Sequence, residues 1–176
     1  MKHDKRQARE LALQALYAWQ LSGGDPLDEA RAIEGFEESD FVKALLKGVH
    51  DGATELEKVI TPHLDRPFAR LSPVERAILY IGAFELAEHP KTPFKVVLNE
   101  AVELGKSFGA TDGYRFVNGV LEKIAGALRP GDEEFASLFA DFVIESSGGA
   151  DEPVDRRVFE LVDGRLVEAR GLAAPA

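Results

Sequence analysis

The chain has 176 residues, 45% of them apolar and 30% charged, with a formal charge of −10 and no cysteine. A chain of this length makes one domain with a substantial core, because a domain near ~150 residues hides roughly two thirds of its unfolded surface. The lack of cysteine excludes disulfides, zinc-finger ligand sets and thiol nucleophiles, and no run approaches the ~18 apolar residues of a membrane span.

The first residues lead into an Ala/Leu helix pattern carrying charges rather than a signal-peptide pattern, so the expected setting is the cytoplasm. Lys5 to Leu21 reads as a helix, with Ala8, Leu11, Ala12, Ala15, Leu16 and Trp19 at the spacing of a buried stripe. Lys2, Lys5 and Arg6 fall at or before its first turn, where the helix dipole prefers acids. Such a conflict is expected where function overrides stability, although exposed terminal cations are also common without a role. Ser22 to Pro26 breaks the helix, and Leu27 to Phe36 reads as a short second one. Ser39 or Asp40 caps a third, running through Phe41, Leu45, Val49, Leu56 and Ile60 to Thr61-Pro62. Gly48 and Gly52 interrupt it at a cost of about 1 kcal/mol each, which points to close approach of a neighbouring helix.

The sharpest local signal is Ser72-Pro73-Val74-Glu75, a capping box with proline at the first helical position. The helix it starts is apolar nearly all round as far as His89-Pro90, which predicts the most buried helix of the fold. Thr92-Pro93 restarts the pattern by the same capping logic, and Val97, Ala101, Leu104 and Phe108 carry it to Gly109. There the spacing predicts a tight corner: Gly109 closes one helix in the left-handed conformation, and Thr111 or Asp112 caps the next. In that last helix Val117, Val120, Leu121, Ile124 and Leu128 form the seam, with Arg115, Asn118 and Glu122 on another face and Phe116 beside it. Two readings of this start are open. A cation and a ring at an exposed helix start suit single-stranded nucleic acid, whereas Phe116 as core and Arg115 as a solvated charge need no ligand.

Residues 1–130 thus read as six or seven helices with no strand pattern, an all-α body. Residues 131–176 differ: they hold eleven acids against four bases, so most of the negative charge lies outside the body. Phe135 to Val143 reads as a short amphipathic helix, and two apolar runs flank Asp163-Gly164, a dipeptide that favours a type I′ hairpin turn. The extension is a solvated appendage, a segment that pairs with a partner, or one that docks on the body and sets negative charge near a nucleic-acid face.

No catalytic constellation is present, which points to a binding protein and not an enzyme. His3, His50, His63 and His89 are not at metal-ligand spacing, and glycine-rich phosphate loops and nucleophile elbows are lacking, so no metal or cofactor is expected.

Five blocks, in order, carry a resemblance. They are Arg9-Glu10 with Ala15-Leu16-Tyr17 and Trp19-Gln20; Val74 to Leu79; Pro93 to Val96 with Asn99 to Leu104; Lys106 to Gly109; and Phe116 to Leu121. Over about residues 5 to 130 the chain resembles the bacterial NusB family of transcription antitermination factors. That resemblance implies an all-helical fold of about seven helices in two small subdomains, and a partnership with the ribosomal protein NusE. It further implies binding of single-stranded boxA RNA from ribosomal RNA operon leaders and action in the RNA polymerase antitermination complex. The family's RNA-contacting positions fall on Lys5, Arg6, Arg9, Tyr17, Arg115 and Phe116, and the NusE-side acids on Glu75 and Asp112. In the expected mechanism the four cations neutralise phosphates while Tyr17 and Phe116 offer stacking faces. The N-terminus departs from an arginine-rich start, with His3, Asp4 and Gln7 among its cations, and the extension runs past the usual family end. Monomer and homodimer are both open.

The rival readings are a helical scaffold that binds only protein and the helical module of a ribosomal RNA cytosine methyltransferase. Residues 131–176 are too short to hold a methyl-donor domain. Burial of Tyr17 and Phe116 favours the scaffold, and their joint exposure beside the N-terminal cations counts against it.

Overall fold

The computed structural model describes residues 4–129 and two short strands at residues 159–162 and 165–168. The described body is built from six α-helices: α1 (Lys5–Ser22), α2 (Pro26–Arg31), α3 (Asp40–Ile60), α4 (Pro73–Glu88), α5 (Phe94–Phe108) and α6 (Gly113–Leu128). Two 3-10 turns, Thr61–His63 and Phe68–Arg70, join α3 to α4. α4 packs against α1, α3, α5 and α6, and its run from Ala77 to Leu86 is buried throughout. An apolar circumference suits a helix surrounded on all sides.

Local chemistry explains the helix starts. Asp4 Oδ1 accepts from the Gln7 N–H at 2.8 Å, so an acid caps α1 and offsets the unfavourable cations in its first turn. Asp25 caps α2 with Pro26 at the first position, and Ser39 caps α3. The Ser72–Glu75 capping box is present in both directions, at 3.1 and 3.2 Å.

Three local expectations are corrected. α2 ends at Arg31, and the chain continues to Phe36 as turns through Gly35 at φ +80. Thr92 does not cap α5; Pro93 holds the cap position with no side-chain hydrogen bond. At the α5–α6 corner the left-handed residue is Asp112 (φ 67), not Gly109, which is extended at φ −92, ψ 178. Asp112 makes no side-chain cap. Gly109 is needed for space: a Cβ there would lie 2.9 Å from the Gly105 carbonyl that its own N–H bonds.

The glycine pair in α3 divides. A Cβ on Gly48 would collide with the Phe84 ring of α4, the close approach the sequence implied, whereas Gly52 faces no neighbour and marks a kink at φ −108, ψ 17.

Arg129 ends the body. Its guanidinium donates to the carbonyls of Glu85, Leu86, His89 and Thr92 at 2.6–3.1 Å, closing the C-terminal turn of α4. A cation there satisfies orphan carbonyls at the negative end of the helix dipole. Beyond it, β1 (Phe159–Val162) pairs antiparallel with β2 (Arg165–Glu168), Val162 opposite Arg165. That register matches the hairpin expected around Asp163-Gly164, two residues that lie outside the described set, as does the amphipathic segment Phe135 to Val143.

Candidate nucleic-acid and partner interface

The first turns of α1 bring Arg6 and Arg9 to α5 and α4 and Lys5 to Phe41 of α3, and the three cations have different fates. Arg9 turns inward. Its Nε and Nη2 donate to the two carboxylate oxygens of Glu85, both at 2.7 Å, with 5% and 1% of the two side chains exposed. Its Nη1 lies 3.8 Å from Glu100. Arg6 is half exposed and donates through Nε and Nη2 to both oxygens of Glu100, at 3.1 and 2.9 Å. The Glu100 hydrogen bonds raise its pKa. Lys5 is exposed, its ammonium 5.3 Å from the Phe41 ring centroid, and Arg9 reaches the same ring.

The second cation group sits at the start of α6. Arg115 donates to the Tyr114 hydroxyl at 3.3 Å, which raises its pKa, and lies 3.5 Å from Asp112. Lys106 stands 5.3 Å from the Tyr114 ring centroid. Gly105 permits this corner, since a Cβ there would lie 2.7 Å from the Tyr114 Cβ. Glu100, Glu103 and Lys106 share one stripe of α5, with Glu103 in the field of Arg6 and 3.9 Å from Lys106. The stripe therefore connects Arg6 to the Tyr114–Arg115 corner over about 9 Å of helix, at 1.5 Å per residue.

Phe116 and Tyr17 part company. Phe116 packs partly buried against the core, with the Arg66 guanidinium 4.7 Å from its ring centroid and Arg66 itself paired to Asp65 at 2.8 Å. That hydrogen bond lowers the Asp65 pKa. Tyr17 is 41% exposed, but it lines a separate groove of about 480 Å³ with Leu13, Ile33, Val74 and Phe108. Glu75 follows Val74 directly, and its Oε2 lies 3.6 Å from where a Cβ on Gly113 would stand, so Glu75 and the Asp112 turn adjoin each other.

Sequence reasoning missed the groups that act on these cations. Neither Glu85 nor Glu100 stands among the candidate site residues, and Arg66 falls between two helix patterns. Only Glu85 carried a signal: a carboxylate inside a helix apolar nearly all round requires a buried cation.

Among the described residues there is no group of His, Asp or Glu able to hold a metal, and no helix long and apolar enough to cross a membrane. The NusB family model matches residues 6–126. Transcription antitermination protein NusB of Bordetella pertussis is 50% identical over 141 residues, covering 75% of this chain and 92% of the relative. The same protein of Burkholderia lata is 48% identical over 138 residues, covering 76% and 95%. Among solved structures, T. maritima NusB matches with a TM-score of 0.69 at 25% identity, covering 77% of this chain and 99% of that one. A structure of the antitermination factors NusB and NusE in complex with dsRNA matches with a TM-score of 0.64 at 29% identity, covering 70% and 96%. With the matched region spanning α1 to α6 and the relatives aligned nearly end to end, the chain belongs to the NusB family.

Proposed function

We propose that the chain is a transcription antitermination factor that binds single-stranded boxA RNA of ribosomal RNA operon leaders jointly with NusE, within the RNA polymerase antitermination complex. It works by binding and carries out no chemistry. The observation that carries this reading is the joining of Arg6 to Lys106, Tyr114 and Arg115 along one stripe of α5, in a family with a NusB–NusE–RNA structure. On an acidic chain, cations gathered at one face supply a phosphate-binding surface that net charge hides.

The geometry supports a division of labour. Lys5, Arg6 and Arg115 contact phosphates, and Phe116 acts through the Arg66 guanidinium on its ring, which offers a face against which a base stacks. Arg9 acts from within, as the buried anchor of the α1 N-terminus. Tyr17 lines the groove with Val74, the residue before Glu75, and so is assigned to the protein partner together with Glu75 and Asp112, rather than to the RNA. We assign residues 1–130 to the RNA-binding body, residues 131–176 to an acidic extension, and the protein to the cytoplasm, where ribosomal RNA is transcribed.

The scaffold reading makes the opposite prediction for RNA. Calorimetric titration with NusE, followed by addition of a boxA strand to the preformed pair, tests both. Association that is lost in Tyr17→Asp and Glu75→Lys, with the pair binding boxA more tightly than the chain alone, supports the division of labour. NusE association without any gain in RNA binding supports the scaffold.

A further inference from the structure

We propose that Glu100 is a positioning residue for RNA binding, holding Arg6 so that the outer edge of its guanidinium forms a phosphate clamp before RNA arrives. This rests on the RNA-binding reading above. A guanidinium has five N–H donors in a rigid plane. Glu100 takes one from Nε and one from Nη2, at 3.1 and 2.9 Å, which engages the inner edge. The remaining three donors, two on Nη1 and one on Nη2, make the outer fork, and they hydrogen-bond to none of the described residues. Half of the Arg6 side chain is exposed while Glu100 is 15% exposed, so the carboxylate is the fixed partner and the fork is the part that meets solvent.

Glu100 is itself held. Arg9 Nη1 lies 3.8 Å from its Oε1, and Arg9 is locked by the buried bidentate contact with Glu85. The order Glu85, Arg9, Glu100, Arg6 therefore runs from the core of α4 to the surface of α1, each charge opposed by the next. An exposed arginine otherwise gives up considerable rotamer freedom when it grips a phosphate. Fixing it beforehand reduces that cost, which is how preorganisation raises affinity. A bidentate fork also matches the two oxygens of a phosphate.

Simple electrostatics and preorganisation make opposite predictions for Glu100. Glu100 is a negative charge beside an RNA-binding face, and Coulomb repulsion alone says that neutralising it tightens binding. Preorganisation says that Glu100→Gln weakens it, because the amide keeps the shape but loses the charge-assisted grip on Arg6. The test is the affinity of the full chain with NusE for a boxA-type single strand, in wild type, Arg6→Ala, Glu100→Gln and the double variant. NusE affinity and thermal unfolding are followed in parallel as folding controls.

The proposal expects Arg6→Ala to weaken RNA binding about tenfold, the loss of one charge-assisted contact, and Glu100→Gln to weaken it in the same direction. The double variant should be no weaker than Arg6→Ala, because Glu100 acts through Arg6. Tighter or unchanged binding in Glu100→Gln, with Arg6→Ala still weakened, overturns the positioning role and leaves the RNA reading standing. Additive losses in the double variant, or no loss in Arg6→Ala, also overturn it. Absence of boxA binding in the wild type overturns the RNA reading itself. Should Glu100→Gln unfold, Arg6→Lys supplies the second probe: an ammonium keeps the charge without the fork, and wild-type affinity in that variant overturns the clamp.

Discussion

Arg9 and Glu85 face each other inside the body as a two-pronged ion pair, both hydrogen bonds 2.7 Å long and both side chains almost wholly withdrawn from water. A pair of this kind costs much desolvation energy to form, and still more to break, because removing one partner strands the other charge. Arg9→Met should therefore destabilise the protein by about 3–5 kcal/mol, as should Glu85→Leu. The double variant Arg9→Met/Glu85→Leu should recover most of that loss. Urea denaturation of the three variants checks this, and a double variant as unstable as the sum of the singles contradicts it.

Helix α3 offers a paired test of packing. Gly48→Ala puts a methyl into the Phe84 ring and should cost about 1–3 kcal/mol, the range for overpacking a filled core. Gly52→Ala meets open space at a negative φ and should change stability by less than about 1 kcal/mol, since helix propensity gained is opposed by the kink. Thermal melts of both variants distinguish the two sites.

Tyr80 gives an alkaline signature. Burial and the 2.6 Å hydrogen bond that its hydroxyl donates to Glu57 push its pKa well above the ordinary tyrosine value. A group raised in the folded state contributes stability that is complete below its unfolded pKa, about 10, and declines as pH rises toward the folded value. Wild-type stability should thus fall above about pH 10 more steeply than that of Tyr80→Phe, although the variant is less stable at neutral pH by about 1.5–3 kcal/mol for the lost charge-assisted bond. Denaturant midpoints between pH 8 and 11 measure the difference. Parallel curves contradict it.

The division of cations predicts a salt signature. Arg115→Ala should reduce the slope of log affinity against log salt by about 0.7, the single-strand value per phosphate contact. Arg9→Lys should leave the slope unchanged, since a buried cation neutralises Glu85 and no phosphate. Equal flattening in both variants contradicts the inward role of Arg9.

Much of this molecule was legible in one sequence, for identifiable reasons. The Ser72–Glu75 box and the apolar run behind it announce α4 because cap chemistry and burial act locally. Family blocks around Tyr17, Glu75, Arg115 and Phe116 identify candidate surfaces. What was not legible depends on contacts between distant residues. Whether Arg9 points to solvent or to Glu85, 76 positions away, is decided by the crossing of α1 and α4. That Arg66 covers Phe116, and that Tyr17 lies with Val74 and Phe108, likewise depends on how loops and helices meet. At Gly109 the residue type was informative but its cause was misread: the glycine admits a neighbouring carbonyl, and Asp112 takes the left-handed turn.

The most direct test of the central claim is the affinity of the chain, with and without NusE, for a boxA strand and a scrambled strand of the same composition at two salt concentrations. NusE should tighten boxA binding, the preference over the scrambled strand should persist at the higher salt, and unselective binding should fall away there. Equal affinity for both strands in every condition, with no effect of NusE, would contradict it.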